Sequence, residues 1–485
     1  MSVAANEQAR AAAPSGVGLA LALASLGAIL APLNSTMVAV ALPEIRDEFS
    51  LSAGAAAWLV SGYLIAMAVA QPIGGRLGDQ IGRRPVYRAG LLAFLASSIL
   101  TALAPNFALL VTLRIAQAVA GAVLIPNGMA LLRTHAPVGQ LGRLNGINGS
   151  VLSFAAAVGP LIGAATLALA TWRWLFLVSV PLVLLALVLL RRLEEEDEER
   201  PPQRPVDWIG TALFVALLAG GTFQLDAMGT DAGSIGAVAG WLVVAIIGAA
   251  FAWRQRVTPA PAAEWRLFKV RSFSAATAYT LLTNLSMYTT LLMIPFFVRD
   301  VLDKSTALAG LLLGAMSILV AVTAPFGGRL SDAWGRRPSA MLGAVLLLAG
   351  AGALLAGLSS TVSPVYIAGC GAVLGLGLGL GVGAANTAAI ESAPRALAGS
   401  AAGTSSMMRY VGSILGAGIL AGVLTGSDAG DGDVSTYRLV MTAVVITAAL
   451  AVVASTFIHR FAPSERAQVV EPGPASAAQA AQPPR

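Results

Sequence analysis

The sequence predicts an all-α integral membrane protein with fourteen transmembrane helices, arranged as two six-helix halves plus two inserted central helices. Of its 485 residues, 57% are hydrophobic and only 11% are charged, whereas a soluble domain carries about 25% charged residues. The mean hydropathy is +0.78, and apolar segments of about 20 residues, long enough to cross a bilayer, recur along the chain. A phrase, PIGGRLGDQIGRRP at 72–85, returns as PFGGRLSDAWGRRP at 325–338, which indicates an internal duplication.

The transmembrane segments follow from the apolar runs taken in order. Charged or polar connections separate them, and the glycine and proline residues inside them are tolerated in membrane helices. The predicted segments are 18–42, 54–75, 86–105, 108–132, 144–170, 174–191, 208–226, 235–253, 273–298, 307–328, 339–358, 364–389, 400–425 and 437–459.

The distribution of basic residues orients these segments. An even number of spans places both termini on one side of the membrane. The connections on that side hold 23 of the 30 lysine and arginine residues, and the connections on the other side hold five. Since basic residues collect in cytoplasmic loops, we expect both termini to lie in the cytoplasm.

The distance between the two copies of the repeated phrase predicts the domain organisation. The copies are 253 residues apart, which is more than six spans occupy here, so two further spans lie between the halves. The acidic run EEEDEER before these spans is typical of a solvated linker. We expect an N-terminal half at 1–192 that is disordered up to about Ser15, an acidic cytoplasmic linker at 193–206, two inserted helices at 207–256, a C-terminal half at 270–460 and a disordered cytoplasmic tail at 461–485.

Six motifs, in this order and topology, resemble those of the major facilitator superfamily, and within it the fourteen-span drug:proton antiporters. Both copies of the repeated phrase are similar to the signatures of that family after spans two and ten. The other four motifs lie at 33–43 (LNSTMVAVALP), 114–121 (RIAQAVAG), 155–163 (AAAVGPLIG) and 172–176 (WRWLF). The resemblance implies two halves that rock about a central site to give alternating access.

The repeated phrase would form a gating loop in each half. The resemblance implies that this loop latches the cytoplasmic side while the outside is open, through charge-assisted contacts and closely packed glycines. The alternative is that its arginines serve only to orient the chain. The candidate gating residues are Gly75, Asp79, Arg83, Arg84, Gly328, Asp332, Arg336 and Arg337.

Gly159, Pro160 and Gly163 form the span-five motif that the resemblance assigns to antiporters. A proline inside a helix frees a carbonyl group and kinks the helix, and small residues let a neighbouring helix approach. The resemblance implies a pivot that prevents leakage, and ordinary tight packing is the alternative.

Arg114 and Arg409 are the only basic residues deep inside predicted spans. A charge at that depth faces the interior of the bundle or a polar cavity, yet no acid lies at mid-depth to pair with either residue. Either Asn34, Gln117, carbonyl groups or water hold the arginines by hydrogen bonds, or an electronegative cargo neutralises them. Arg114, Gln117 and Arg409 are therefore candidates for substrate binding or coupling.

Asn34 departs from the fourteen-span branch, in which an aspartate at this position of span one is a candidate proton carrier. Asparagine cannot titrate, so coupling would use another acid, such as Asp226 or Glu44, or would be absent. Span nine is unusually polar, and Thr280 and Asn284 share one face of that helix. These two residues either line the central cavity or form interhelical hydrogen bonds.

The sequence therefore predicts a secondary active transporter that exports amphipathic organic compounds, such as drugs or endogenous metabolites, and is driven by the proton gradient. The alternative is a metabolite or lipid transporter, or an importer, without the usual proton coupling. No nucleophile–base set or metal-ligand spacing suggests an enzyme or a metal site. We expect a functional monomer in the cell membrane whose partners are the lipid bilayer and a small-molecule substrate, with no cofactor and no nucleic acid.

Overall fold

The computed structural model is helical wherever it describes regular structure, and the described ranges contain no strand. These ranges are 16–136, 141–193, 207–227, 234–258, 265–394, 397–425 and 433–460. A short 3-10 helix, Trp265–Lys269, precedes α10. The α-helices are α1 (Val17–Phe49), α2 (Ala53–Ile81), α3 (Arg83–Ala102), α4 (Phe107–His135), α5 (Leu141–Leu169), α6 (Trp174–Leu177), α7 (Val180–Arg192), α8 (Trp208–Ala227), α9 (Ser234–Val257), α10 (Arg271–Asp300), α11 (Thr306–Trp334), α12 (Arg336–Gly357), α13 (Pro364–Glu391), α14 (Ala398–Thr425) and α15 (Val434–Thr456).

These helices provide fourteen membrane spans. Thirteen segments are long and apolar enough to cross a bilayer, with α6 and α7 together forming one span, Trp174–Arg192. The fourteenth span is α5, a helix of 29 residues that includes the apolar stretch Phe154–Leu169. The predicted fold class, an all-α membrane protein with fourteen helices, is confirmed. The predicted disordered N-terminus, the acidic linker from residue 194 to 206 and the predicted disordered tail at 461–485 lie outside the described residues.

The repeated phrase is helical, and its prediction as a loop was wrong. The helices α2 and α3, like α11 and α12, are separated by one residue. These residues are Gly82 and Gly335, with φ of +113° and +102°. Residues with a side chain rarely adopt this backbone conformation. A glycine is therefore needed where the chain turns from one helix into the next within a single residue. The charged residues on either side are compatible with a helix, and they extend α2 and α11 beyond their apolar parts.

Each half packs its own helices together, and the two halves meet mainly along three helix pairs. In the first half, α1 packs on α4 and α5; in the second half, α10 packs on α14 and α15. The halves meet where α5 contacts α11, where α2 contacts α14 and where α1 contacts α10. The inserted helix α8 contacts both α2 and α14, so it covers one of these seams. In its partner α9, only 6% of the apolar segment is buried inside the protein, against 83% in α10. The helix α9 therefore faces lipid.

Small residues let α5 lie close to helices of both halves. A Cβ at Gly159 would overlap the hydroxyl group of Thr36, and Gly163 lies against the α1 backbone. Across the seam, a Cβ at Gly310 of α11 would lie 2.9 Å from the carbonyl oxygen of Pro160. The motif predicted in span five is therefore a site of close packing against α1 and α11.

The two ends of the bundle differ in charge and are named here for that difference. The arginine-rich end holds the connections at Gly82 and Gly335. The arginine-poor end holds the last residues of α1 and α10, Phe49 and Asp300.

Candidate functional site

Neutral groups of the first half surround Arg114 in α4, which is only 1% exposed. Its Nη1 donates to Oδ1 of Asn34 and, at 2.5 Å, to Oε1 of Gln117, while its Nη2 donates to the carbonyl oxygen of Asn34 at 3.2 Å. The guanidinium carbon lies 3.8 Å from the ring centroid of Tyr63, which adds a cation–π contact. The structure thus brings three of the candidate residues together, and among the described residues no carboxylate pairs with the cation.

The hydrogen bonds around Arg114 continue into neighbouring helices. Gln117 lies one turn after Arg114 on the same face of α4, and its Nε2 donates to the hydroxyl group of Ser98 in α3 at 2.7 Å. The Ser98 hydroxyl lies 3.5 Å from that of Ser179, at the break between α6 and α7. Several elements of the first half therefore fix the position of this guanidinium group.

Arg409 of α14 is the second deep cation, and its surroundings are different. In the part of the chain that the structure describes, no residue accepts a hydrogen bond from its guanidinium group, whereas both terminal nitrogens of Arg114 have acceptors. The Nε atoms of both arginines are buried without a partner. It interacts electrostatically with Tyr288 and Tyr410. Tyr288 also interacts with Arg114, and its hydroxyl group lies 3.4 Å from that of Ser35 in α1. Tyr288 therefore lies within electrostatic range of both arginines, on a helix that meets the other half.

The polar residues of α10 bond within the helix and to its neighbours. Thr280 and Asn284 are buried and donate to carbonyl groups one turn earlier in α10, at 2.9 and 2.8 Å. The hydroxyl group of Ser286 lies 2.8 Å from that of Thr447 in α15. The bonds within α10 satisfy the buried side chains of Thr280 and Asn284 without a cargo. The bond between Ser286 and Thr447 holds α10 and α15 together.

The two acids considered for coupling lie at the arginine-poor end. Asp226 at the end of α8 accepts a hydrogen bond from Thr425 of α14 at 3.1 Å. Glu44 of α1 accepts one from Thr306 of α11. Among the described residues, neither acid pairs with Arg114 or Arg409, so the structure does not bring them to the central arginines.

Two contacts of charged residues in the first phrase lie within the first half. Asp79 pairs with Arg83 at 2.7 Å, and Arg84 donates to the carbonyl oxygen of Leu190 in α7 at 3.1 Å. Both contacts lie at the arginine-rich end. They join α2, α3 and α7, which belong to the first half.

Charged residues of the second phrase form a cluster with other residues of the second half. Arg336 pairs with Asp332 at 2.5 Å and donates to both carboxylate oxygens of Glu391 in α13, at 2.7 and 3.0 Å. Arg337 donates to the carbonyl oxygen of Ile458 at 2.9 Å. The cluster therefore ties α11, α12, α13 and the end of α15 together.

In the paired glycines of each phrase, the closer contact comes from the first member, Gly74 or Gly327, and not from Gly75 or Gly328. A Cβ at Gly74 would lie 2.7 Å from Cα of Val123, and a Cβ at Gly327 would lie 2.7 Å from carbonyl oxygens of α13. At Gly75 the nearest atom is at an ordinary 3.4 Å, and at Gly328 nothing lies within 4 Å. Close helix packing in each pair therefore depends on the first glycine, and a side chain at the candidate gating residues Gly75 and Gly328 would meet no close neighbour.

Ion pairs join the two halves at the arginine-poor end. Arg46 of α1 lies 2.8 Å from Asp300 of α10, and Arg299 of α10 lies 3.4 Å from Asp47 of α1. In the sequence, Arg46 and Arg299 are two of the five basic residues counted on the side opposite the termini. Which charges meet across a helix interface depends on packing, so the apolar pattern carries no signal for these pairs.

Asp207 anchors the inserted helices at the arginine-rich end. Its carboxylate accepts hydrogen bonds from Arg254 of α9 at 2.9 and 3.0 Å and from the N–H of Gly210 at 3.0 Å. Burial would raise the pKa of Asp207, but these hydrogen bonds and the charges of Arg254 and Arg76 outweigh it and hold the pKa of that carboxyl below its ordinary value. Arg76 belongs to α2, so its charge attracts Asp207 and links the two inserted helices electrostatically to the first half.

Histidine, cysteine and carboxylate side chains are dispersed. In the described ranges, no three of them lie together as a group that could hold a metal ion. The single cysteine, Cys370, is buried and free. Among these residues the chemistry available at the centre is therefore hydrogen bonding and charge.

Comparisons with known proteins agree with this architecture. A sequence profile described as Major Facilitator Superfamily matches residues 24–417 and 281–480. The uncharacterized MFS-type transporter YvkA of Bacillus subtilis (strain 168) is 32% identical over 390 residues, which cover 80% of this chain and 87% of that protein. The multidrug resistance protein B homolog of Mycobacterium tuberculosis (strain ATCC 25618 / H37Rv) is 28% identical over 397 residues, covering 80% and 73%.

Solved structures share the fold. A bacterial homolog of the human lysosomal transporter Spinster superposes with a TM-score of 0.65 at 16% identity, covering 93% of this chain and 100% of that chain. A D-xylose-proton symporter has a TM-score of 0.64 at 16% identity, covering 93% and 98%. Together with the profile match over most of the sequence, this shows that the chain belongs to the major facilitator superfamily and is a membrane transporter, not an enzyme.

Proposed function

We propose that the chain exports amphipathic organic compounds across a bacterial cytoplasmic membrane by alternating access, as a member of the fourteen-span drug:proton antiporter branch. The observation that carries the proposal is the central polar group, to which both halves contribute: Asn34, Ser35 and Arg114 from one, Tyr288 and Arg409 from the other. A site shared between two rocking halves can be reached from either side in turn. The name of the Mycobacterium relative, a multidrug resistance protein homolog, supports the cargo class.

The direction of access rests on the charged ends. The arginine-rich end would face the cytoplasm by the positive-inside rule. Since ion pairs between the halves lie at the arginine-poor end, the structure would then represent a state that is closed to the outside. A cargo would enter from the cytoplasm and leave after the arginine-poor end opens.

The export proposal is tested in inverted membrane vesicles. We expect a fluorescent amphipathic compound to accumulate inside them when a proton gradient is generated, and an uncoupler to release it. Vesicles without the protein are the control. If the compound accumulated only in right-side-out vesicles and not in inverted ones, the protein would be an importer, which would contradict export.

Proton coupling is the weaker part of the proposal because Asn34 occupies the position of the usual first-span acid and serves as a partner of Arg114. This observation favours a second candidate, a metabolite or lipid transporter without the usual proton coupling. The uncoupler separates the two candidates. Transport that persists after the gradient collapses would support the second one.

The two deep arginines point to an electronegative cargo, and their surroundings assign them different roles. Arg114 is held by Asn34 and Gln117, which supports a structural role. Arg409 has no hydrogen-bond acceptor among the described residues. A cation in a membrane interior is costly without a partner, so an anionic group on the cargo would be stabilised beside Arg409 and the hydroxyl groups of Tyr288 and Tyr410.

A matched pair of substitutions tests this assignment. We expect Arg409→Gln to weaken the binding of an anionic fluorescein-type dye about tenfold or more, since charge-assisted hydrogen bonds contribute about 1.5–3 kcal/mol, and to leave a cationic rhodamine-type dye unaffected. Arg114→Gln should instead lower the melting temperature. Equal affinity of the wild type for both dyes, unchanged by Arg409→Gln, would contradict an electronegative cargo.

A further inference from the structure

An Arg-Asp dipeptide occurs at equivalent places in the two halves. Arg46-Asp47 lies in the last turn of α1, which ends at Phe49, and Arg299-Asp300 ends α10. The dipeptides are 253 residues apart, the same offset that separates the two copies of the repeated phrase and the glycines at 82 and 335. The two dipeptides are therefore counterparts under the internal duplication.

The two copies pair with each other. Nη1 and Nη2 of Arg46 donate to the two carboxylate oxygens of Asp300, each at 2.8 Å. In the reciprocal pair, Nη2 of Arg299 lies 3.4 Å from Oδ2 of Asp47. Each half thus supplies one cation and one anion to the other, and the four charges cancel. A bidentate arginine–carboxylate contact is both strong and geometrically selective.

The two pairs are not equal in energy. The side chains of Arg46 and Asp300 are 15% and 11% exposed, whereas those of Arg299 and Asp47 are 45% and 41% exposed. Water screens an exposed pair, which typically contributes little, while a partly buried bidentate pair loses much more when one partner is removed. The closed contact therefore depends mainly on Arg46 and Asp300.

Neighbouring groups hold the Arg46–Asp300 pair in place. The hydroxyl group of Tyr437 in α15 donates to Asp300 at 3.1 Å, and the guanidinium carbon of Arg46 lies 5.3 Å from the ring centroid of Phe296. Earlier in the last turns of α1, Glu44 accepts a hydrogen bond from Thr306. The contact thus lies in a set of bonds that join α1 to α10 and α11.

We propose that these four residues form a gate, the Arg-Asp latch, that stabilises the state closed at the arginine-poor end and separates when that end opens. Both pairs join residues of different halves, so rocking of the halves must break them. In the open state all four charges would face water, which compensates the lost pairing and keeps the transition reversible. This proposal rests on the proposed function only where the arginine-poor end is taken to be the outer end. The pairing of the four residues depends neither on the orientation of the protein in the membrane nor on what it transports.

The latch is tested by distance measurement on the purified full chain, without substrate or gradient. Spin labels at Thr171→Cys and Thr361→Cys, in a Cys370→Ala background, would report the separation of the halves, because both threonines are exposed and lie at the arginine-poor end of different halves. We expect a short distance in the wild type. Arg46→Gln and Asp300→Asn should each raise the ratio of open to closed molecules about tenfold.

Two further variants separate charge pairing from packing. The swap Arg46→Asp with Asp300→Arg should restore most of the short distance, since opposite charges again face each other. Arg299→Gln is the matched control, the equivalent residue in the exposed pair, and should shift the ratio less than about threefold. Unchanged distances in both single variants, or a swap that stays as open as they are, would overturn the proposal; a failed export assay would leave this result untouched.

Discussion

The two ends of the bundle use similar charged residues in different ways. At the arginine-rich end, Arg336 binds Asp332 and Glu391, all in the second half. At the arginine-poor end, Arg46 binds Asp300 across the two halves, in addition to Asp47 of its own helix. A duplicated charge can therefore pair inside its own half or with the other half. Pairs inside a half persist while the halves rock, whereas pairs between halves favour one state over the other.

Gly335 offers the largest expected effect of a single substitution at the arginine-rich end. We expect Gly335→Ala to lower the free energy of unfolding by about 2–3 kcal/mol. Its φ of +102° is unfavourable for alanine, and the added Cβ would overlap the carbonyl oxygen of Arg460. Thermal unfolding in detergent measures the change.

Gly328→Ala is the control for that substitution. Gly328 lies inside α11, where a Cβ would meet nothing within 4 Å, so alanine should leave the stability unchanged or raise it slightly. In both variants the spin-label distance at the arginine-poor end should stay at its wild-type value. An opened arginine-poor end in Gly335→Ala would remove the distinction between the two ends.

Arg336 comes next in expected size. Arg336→Gln should destabilise the protein by about 2 kcal/mol, because it leaves Glu391 partly buried without its bidentate partner; the value is reduced for the partial exposure of the pair. Arg329→Gln, an exposed arginine in the same phrase, should melt with the wild type. A larger effect of Arg329→Gln than of Arg336→Gln would show that the number of positive charges, not pairing, determines stability at this end.

The helices could be predicted from sequence because the thickness of the bilayer sets the length of the apolar segments. The helix ends in the repeated phrases could not, since α2 and α11 continue beyond their apolar parts through charged residues. Asp79 and Asp332 there pair with Arg83 and Arg336, the first residues of the next helices. Polarity there marks the membrane surface and not the end of a helix.

The central site was predictable only in part. The need to satisfy a deep charge singled out Arg114 with Asn34 and Gln117 as possible partners, and these three are in contact. Arg409 lies at a similar depth in its predicted span to Arg114, so the sequence could not show that the surroundings of the two arginines differ. The Arg46–Asp300 pair was missed because each residue was weighed alone, although the 253-residue offset, applied beyond the repeated phrase, relates their dipeptides.

The smallest expected effect is a pH dependence at the arginine-rich end. His459 follows α15, with Nδ1 2.6 Å from the Ser272 hydroxyl oxygen. Burial lowers the pKa of His459, and the charge of Arg336 adds to this, while Glu391 opposes both. The neutral form is therefore favoured in the folded protein, and its contribution to stability is present above the ordinary pKa of about 6.5 and is lost as the pH falls through and below that value.

The melting temperature should accordingly fall between about pH 7.5 and pH 5.5, by less in His459→Gln than in the wild type. Because His459 and its partners belong to the second half, the spin-label distance at the arginine-poor end should not follow this titration. If that distance lengthened with acid and His459→Gln abolished the change, a group at one end would control the gate at the other. The two ends would then be coupled, and pairing within a half would no longer be neutral toward the state of the transporter.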